Sequence, residues 1–205
     1  LFFFVALALS VGTGLGFRSA DQSHLAFSHE ALTDIAPHPY DPLKLLAASE
    51  KEVYLREGNQ NWRKLISSPG GSASFQKLIA HSNLPEKIFL LTGEGVIETN
   101  LKGAPPQWIF REANPKKNRV YSFAIHPDDP KRLYVGTERG LFRSPDGGKS
   151  WLEPFEWPEN QPIEFVSFLT SPSPPLLLGT HRELFFAKDE EDPFESGFSL
   201  PLSSL

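Results

Sequence analysis

Three histidines open the search for chemistry. His38, His81 and His126 recur at equivalent points of a repeating pattern, with Ser171 at the fourth. Three imidazoles on one ring could hold a metal. Their setting gives the competing reading. IHPDDP (125–130) and its counterparts have the composition of a tight turn, in which proline fixes φ and aspartate bonds its own backbone. Repeat equivalence then accounts for the recurrence, and no metal is expected. The acidic run Asp189–Asp192 is read as a solvated turn rather than a calcium loop. TGEG (92–95) lacks the spacing and following helix of a phosphate loop, and GxSxG and HExxH are absent. With no cysteine, disulfides, thiol nucleophiles and thiolate metal sites are excluded. No cofactor is expected.

The elements that would position these groups are short and repeat. LKLLAASEKEVYLR (43–56), EKIFLLTGEGVIET (86–99), KRLYVGTERGLFRS (131–144) and PPLLLGTHRELFFA (174–187) each read as strand, polar turn, strand. Aligned on Ala48, Leu91, Gly136 and Gly179, they are spaced by 43, 45 and 43 residues. Trp62, Trp108, Trp151 and, more weakly, Phe194 recur downstream, 14 to 17 residues after those points. In the third unit, Val120–Ile125 reads as strand A, 132–136 as B and 141–143 as C, with D beginning at Trp151. Such strands cannot bury a core alone, so each four-stranded sheet must stack on its neighbour. A four-stranded unit with a period in the forties is the signature of an all-β propeller. The 19 prolines and 15 glycines, lying between apolar runs, agree with a turn-rich all-β chain.

One loop is more specific. Residues 144–151, SPDGGKSW, fit the pattern Ser/Thr-x-Asp-x-Gly-x-x-Trp at every fixed position. Here the chain resembles the BNR/Asp-box repeat propellers, a class that includes sialidase-like, photosystem II assembly-factor-like and sortilin-like proteins. The other repeats keep only degenerate forms, REGNQNW (56–62), TNLKGAPPQW (99–108) and AKDEEDPF (187–194). The expected role of the loop is structural. Asp146 accepts backbone N–H groups within the turn, Gly148 takes a positive φ, Ser144 adds a local hydrogen bond and Trp151 packs between sheets. The resemblance places such loops at the blade periphery, away from the ligand face.

It also raises glycosidases. The Phe/Tyr-Arg-Ile-Pro motif of sialidases is absent, and FRSP (142–145) belongs to the Asp-box itself. Other glycosidases need two carboxylates facing one bond, which sequence does not identify. The favoured reading is a non-enzymatic propeller presenting a binding surface to a protein or glycan partner. The alternative is a glycan-active enzyme, a glycosidase or lyase, with catalytic residues partly outside the chain. Propeller loops vary while blades stay fixed. The candidate face is therefore the end opposite the Asp-box, carrying Glu50, Lys51, Glu94, Glu138, Arg139, His181 and Arg182 on its tight turns. Lys116, Lys117, Arg119, Trp157 and Glu159 join it on the longer connections.

The remaining expectations concern the ends and the charge. Residues 1–20 open with LFFFVALALSVGTGLGF and then turn polar. They read as a secretion signal lacking its basic start, with a membrane anchor or a buried strand as rivals. The chain is thus expected to be exported, touching a membrane only through this segment if it is uncleaved. Repeats are expected over 30–197, as 30–70, 75–115, 120–157 and 163–197, with 198–205 as a tail or the start of a further blade. Asp-box propellers usually have six to eight blades, and the chain lacks methionine, so the four visible blades are read as part of a larger ring. The rivals are a closed four-bladed ring and an arc completed by another chain. A net charge of −5 without a basic stripe argues against nucleic acid.

Overall fold

The computed structural model describes residues 31–69, 73–114, 116–152, 161–169 and 175–187, and the backbone of 195–199. These residues form fifteen strands in four antiparallel sheets. The first sheet is β1 (Leu32–Pro37), β2 (Lys44–Ser49), β3 (Glu52–Glu57) and β4 (Arg63–Ser67), and the second is β5 (Phe75–His81), β6 (Leu84–Thr92), β7 (Gly95–Asn100) and β8 (Gln107–Arg111). The third is β9 (Val120–Ile125), β10 (Leu133–Thr137) and β11 (Gly140–Ser144). The fourth is β12 (Phe165–Phe168), β13 (Leu176–Gly179), β14 (Glu183–Ala187) and β15 (Glu195–Ser199). In each, strands neighbour one another in chain order.

The third sheet departs slightly from expectation. Its second and third strands meet in a two-residue hairpin, Thr137 opposite Gly140, so the turn is only Glu138–Arg139. A fourth strand is represented among the described residues by one bridge, between Arg143 and Leu152.

Alternation along the central strands explains the stacking. Ile88 and Leu90 enter a core shared with Leu46, Val53 and Leu55 of the first sheet. Their neighbours Phe89 and Leu91 face the opposite way, against Phe123, Leu133 and Val135 of the third. Tyr134 then points into a core with Val166, Leu178 and Phe185 of the fourth. Each sheet has two apolar faces because side chains of a strand alternate with a period of two. Gly136 marks one close approach. A Cβ there would lie 2.4 Å from the Ile163 carbonyl oxygen of the chain leading into β12.

The first strands form the inner wall. β1 lies against β5, and β9 against β12. Residues of all four line a single cavity of about 780 Å³, among them Ala36, Leu78, Phe123, Phe165 and Phe168. Asp34 braces this wall, its Oδ2 accepting the Leu78 N–H at 2.8 Å.

Candidate binding surface

The tight turns joining second to third strands share one device. Ser49, Thr92 and Thr137 close those strands and Thr180 directly follows one, and each hydroxyl accepts backbone N–H from the turn ahead. Each also lies within hydrogen-bonding reach of the carbonyl three residues on, as with Thr137 and Gly140 at 3.0 Å. A hydroxyl recurring one residue after each alignment point is the sequence signal for this device.

These turns carry Glu50 and Lys51, Glu94, Glu138 and Arg139, and His181 and Arg182. The structure brings several into contact with residues the sequence reading did not single out. Glu94 is buried, its side chain 9% exposed, and its Oε2 accepts from Arg111 Nη2 at 2.9 Å. Arg111 lies with Cζ 4.7 Å from the centre of the Trp108 ring and keeps 54% of its side chain exposed. One residue on, Glu112 is deeper still, at 2%. Its Oε2 lies 3.5 Å from Asn118 Nδ2 and 3.9 Å from Arg139 Nη1. Arg139 stands over Phe142 with 44% of its side chain exposed. Backbone bonds lock the neighbourhood, from Glu112 N to Glu94 O at 2.9 Å, Val120 N to Gly93 O at 3.1 Å and Glu138 N to Arg119 O at 2.9 Å.

Glu138 receives the hydroxyl of Tyr121. That bond, followed by burial and the Glu138 charge, pushes the Tyr121 phenol up to about 12. His181 Nδ1 lies 3.9 Å from Glu164 Oε1, at the fourth sheet. Glu50, Lys51, His181, Arg182, Lys116, Lys117 and Arg119 are exposed. Trp157 and Glu159 lie outside the described residues, as do Ser171, Asp189–Asp192, Phe194, residues 1–30 and residues 200–205.

The other end holds the histidine turns and the Ser144–Trp151 loop. His38 Nδ1 accepts from Tyr40 N and Asp41 N, His81 Nδ1 from Asn83 N, and His126 Nδ1 from Asp128 N and Asp129 N. The imidazole thus does for these turns what a capping carboxylate does elsewhere. The aspartate contribution is present too, with Asp41 Oδ1 accepting from Leu43 N and Asp129 Oδ1 from Lys131 N. Among the described residues, no group of three His, Cys, Asp or Glu side chains is placed to hold a metal. No helix there is long and apolar enough to cross a membrane.

In the loop, Asp146 Oδ1 accepts from the Ser150 N–H at 2.9 Å and the Ser144 hydroxyl at 3.0 Å, and Oδ2 takes the Ser150 hydroxyl at 2.6 Å. The Ser150 bonds above all hold the Asp146 carboxyl down to about 2. Ser144 Oγ accepts from Gly148 N at 2.8 Å, and Gly148 adopts φ +88°.

No family model and no curated protein matches the chain. Solved structures do. A GH74 enzyme from Niastella koreensis superposes with a TM-score of 0.60 at 14% identity, over 80% of this chain and 30% of that one. An ancestral GH74 enzyme gives 0.58 at 13% identity, over 81% and 25%. YCF48 bound to D1 peptide gives 0.52 at 12% identity, over 73% and 48%. The fold is that of a β-propeller. Its four sheets are blades, and β1, β5, β9 and β12 are their inner strands. The chain spans between a quarter and a half of the length of these propellers, and at such identities the likeness concerns the fold alone.

Proposed function

We propose that this chain is a non-enzymatic propeller module of an exported protein. It presents the end bearing Glu50, Lys51, Glu94, Glu138, Arg139, His181 and Arg182 to a protein or glycan partner. The observation carrying this reading is that three carboxylates at this end, those of Glu94, Glu112 and Glu138, are already engaged within the protein. Glu94 is held by Arg111, Glu138 by Tyr121, and Glu112 sits beside Asn118 and Arg139. A carboxylate that works on a substrate must face it. Glu94 and Glu112 instead brace half-exposed arginines next to aromatic rings, residue types enriched at the centres of binding interfaces. The structure of YCF48 bound to D1 peptide supports the reading by analogy of fold.

The likeness to GH74 enzymes favours a second reading, a glycan-active propeller with catalytic residues partly outside this chain. One experiment separates the two. The full chain is applied to an array of glycans and peptides, and released reducing sugar is assayed on every glycan retained. Binding without turnover, lost in a Lys51→Glu/Arg182→Glu variant with unchanged circular dichroism, supports the module. Turnover of any glycan refutes it.

A further inference from the structure

We infer that the partner segment seated between the second and third blades is an acidic polypeptide, recognised by Arg111 and Arg139. This inference rests on the proposed binding face and names the chemistry it takes. Both guanidiniums project from adjacent blades at one end of the propeller. Each is fixed twice, by a ring beneath and by a carboxylate inside, Trp108 and Glu94 for Arg111, Phe142 and Glu112 for Arg139. The sequence step from Arg111 to Glu112 couples the two sets, because Glu112 reaches across to Arg139.

Buried carboxylates and exposed guanidiniums divide the charge by depth. The acids Glu94 and Glu112 lie inside, while about half of each arginine faces solvent. The connection from β8 to β9 adds Lys116, Lys117 and Arg119, all exposed. Against these five cations stands one further carboxylate, the half-buried Glu138 held by Tyr121, so cations outnumber acids here on a chain of net charge −5. A guanidinium presents five N–H donors in a planar fork that matches a carboxylate. Holding it on a ring and a carboxylate removes part of the entropy cost of binding. A continuous polyphosphate is disfavoured, since the rest of the chain repels it and the basic patch is short. Carboxylates of a peptide can be taken one at a time.

The test is fluorescence anisotropy of the full chain with a labelled glutamate-rich peptide bearing a free C-terminus. A glutamine-rich peptide of equal length and a single-stranded oligonucleotide serve as comparisons. The glutamate peptide is expected to bind, more weakly as salt rises. Arg139→Gln should weaken it about tenfold, as should Lys116→Glu/Lys117→Glu. The lysine variant changes only exposed loop side chains, so the test does not depend on a blade tolerating the loss of Arg139. Equal binding of the glutamine peptide, indifference to both variants, tighter binding of the oligonucleotide, or no binding of the glutamate peptide overturns the inference. A glycan or neutral peptide captured on the array through Lys51 and Arg182 would leave the binding face standing while the acidic-partner inference fell.

Discussion

The indole N–H of Trp151 donates to the backbone carbonyl of Ile109 at 2.7 Å, so the Ser144–Trp151 loop of the third blade is fastened to the outer strand of the second. The same ring meets Phe110 edge-on at 4.9 Å between centroids. Trp151 thus contributes a polar bond and an apolar plate, and the two are separable. Trp151→Phe keeps the plate and should cost about 1 kcal/mol, the net value of one hydrogen bond. Trp151→Ala loses both and should cost about 3 kcal/mol. Urea unfolding of the three proteins decides it: a Trp151→Phe variant as stable as wild type would remove the indole bond from the account, and equal losses for both variants would remove the plate.

The adjacent glycines of that loop offer an internal comparison. Gly147 and Gly148 have φ of +77° and +88°. A Cβ on Gly147 would meet nothing within 4 Å, whereas one on Gly148 would stand 3.0 Å from the Ile109 Cβ. Gly147→Ala should therefore cost about 1 kcal/mol, the backbone term alone. Gly148→Ala should cost more, because it also pushes on the second blade. Thermal unfolding midpoints of the two variants check the order, and the reverse order contradicts it.

The repeat, the strand pattern and the Asp-box turn were legible because they depend on local chemistry. The Asp146 and Gly148 geometry follows from residue types within eight positions. The Thr92 and Thr137 turns were equally local, yet a hydroxyl is common enough to pass unnoticed without the neighbouring repeats. Glu94 and Glu138 both belong to the candidate face on sequence grounds, and nothing in the sequence distinguishes the buried one from the half-buried one. Arg111 and Glu112 were missed altogether. Their importance depends on which side of β8 meets β7 and which blade follows, a matter of stacking rather than of local pattern. The histidine turns show the same limit, since recurrence announced a role but not the acceptor nitrogen that performs it.

Thr137 gives the turn hypothesis its sharpest test. Its side chain is fully buried, donating to the Gly140 carbonyl and accepting from the Arg139 N–H, both at 3.0 Å. Thr137→Val keeps the shape and leaves that N–H without its acceptor. It should cost about 2 kcal/mol and speed hydrogen exchange at Arg139. Thr137→Ser should restore most of the stability, as Ser49 fills the corresponding place in the first blade. A valine variant with wild-type exchange at Arg139 would refute the assignment.

Asp146 makes a prediction about acid. Its folded-state carboxyl titrates at about 2, below the ordinary 3.8. A carboxylate depressed by folding stabilises the fold above its unfolded value and loses that contribution as pH falls through the folded one. The stability advantage of wild type over Asp146→Asn should be constant above pH 3.8 and shrink as pH drops toward about 2. Melting temperatures of both proteins across this range test it, and a difference independent of pH would show that the charge is not what Asp146 contributes.

His81 predicts a second, milder pH effect. Burial, and then the nearby His126, lower its pKa below the ordinary 6.5. Its neutral Nδ1 accepts the Asn83 N–H at 3.1 Å, a bond that protonation of that nitrogen abolishes. Folding thus favours neutral imidazole, so the contribution is complete above pH 6.5 and is lost as pH falls through the lowered value. His81→Gln should flatten this part of the stability profile. His126→Asn removes one of the two causes and should move the His81 titration back toward 6.5, read from the imidazole proton shifts by nuclear magnetic resonance. Because burial is the larger cause, the return should be partial. A complete return would assign the shift to His126 instead, and no movement would mean that the two imidazoles do not sense each other across the second and third blades.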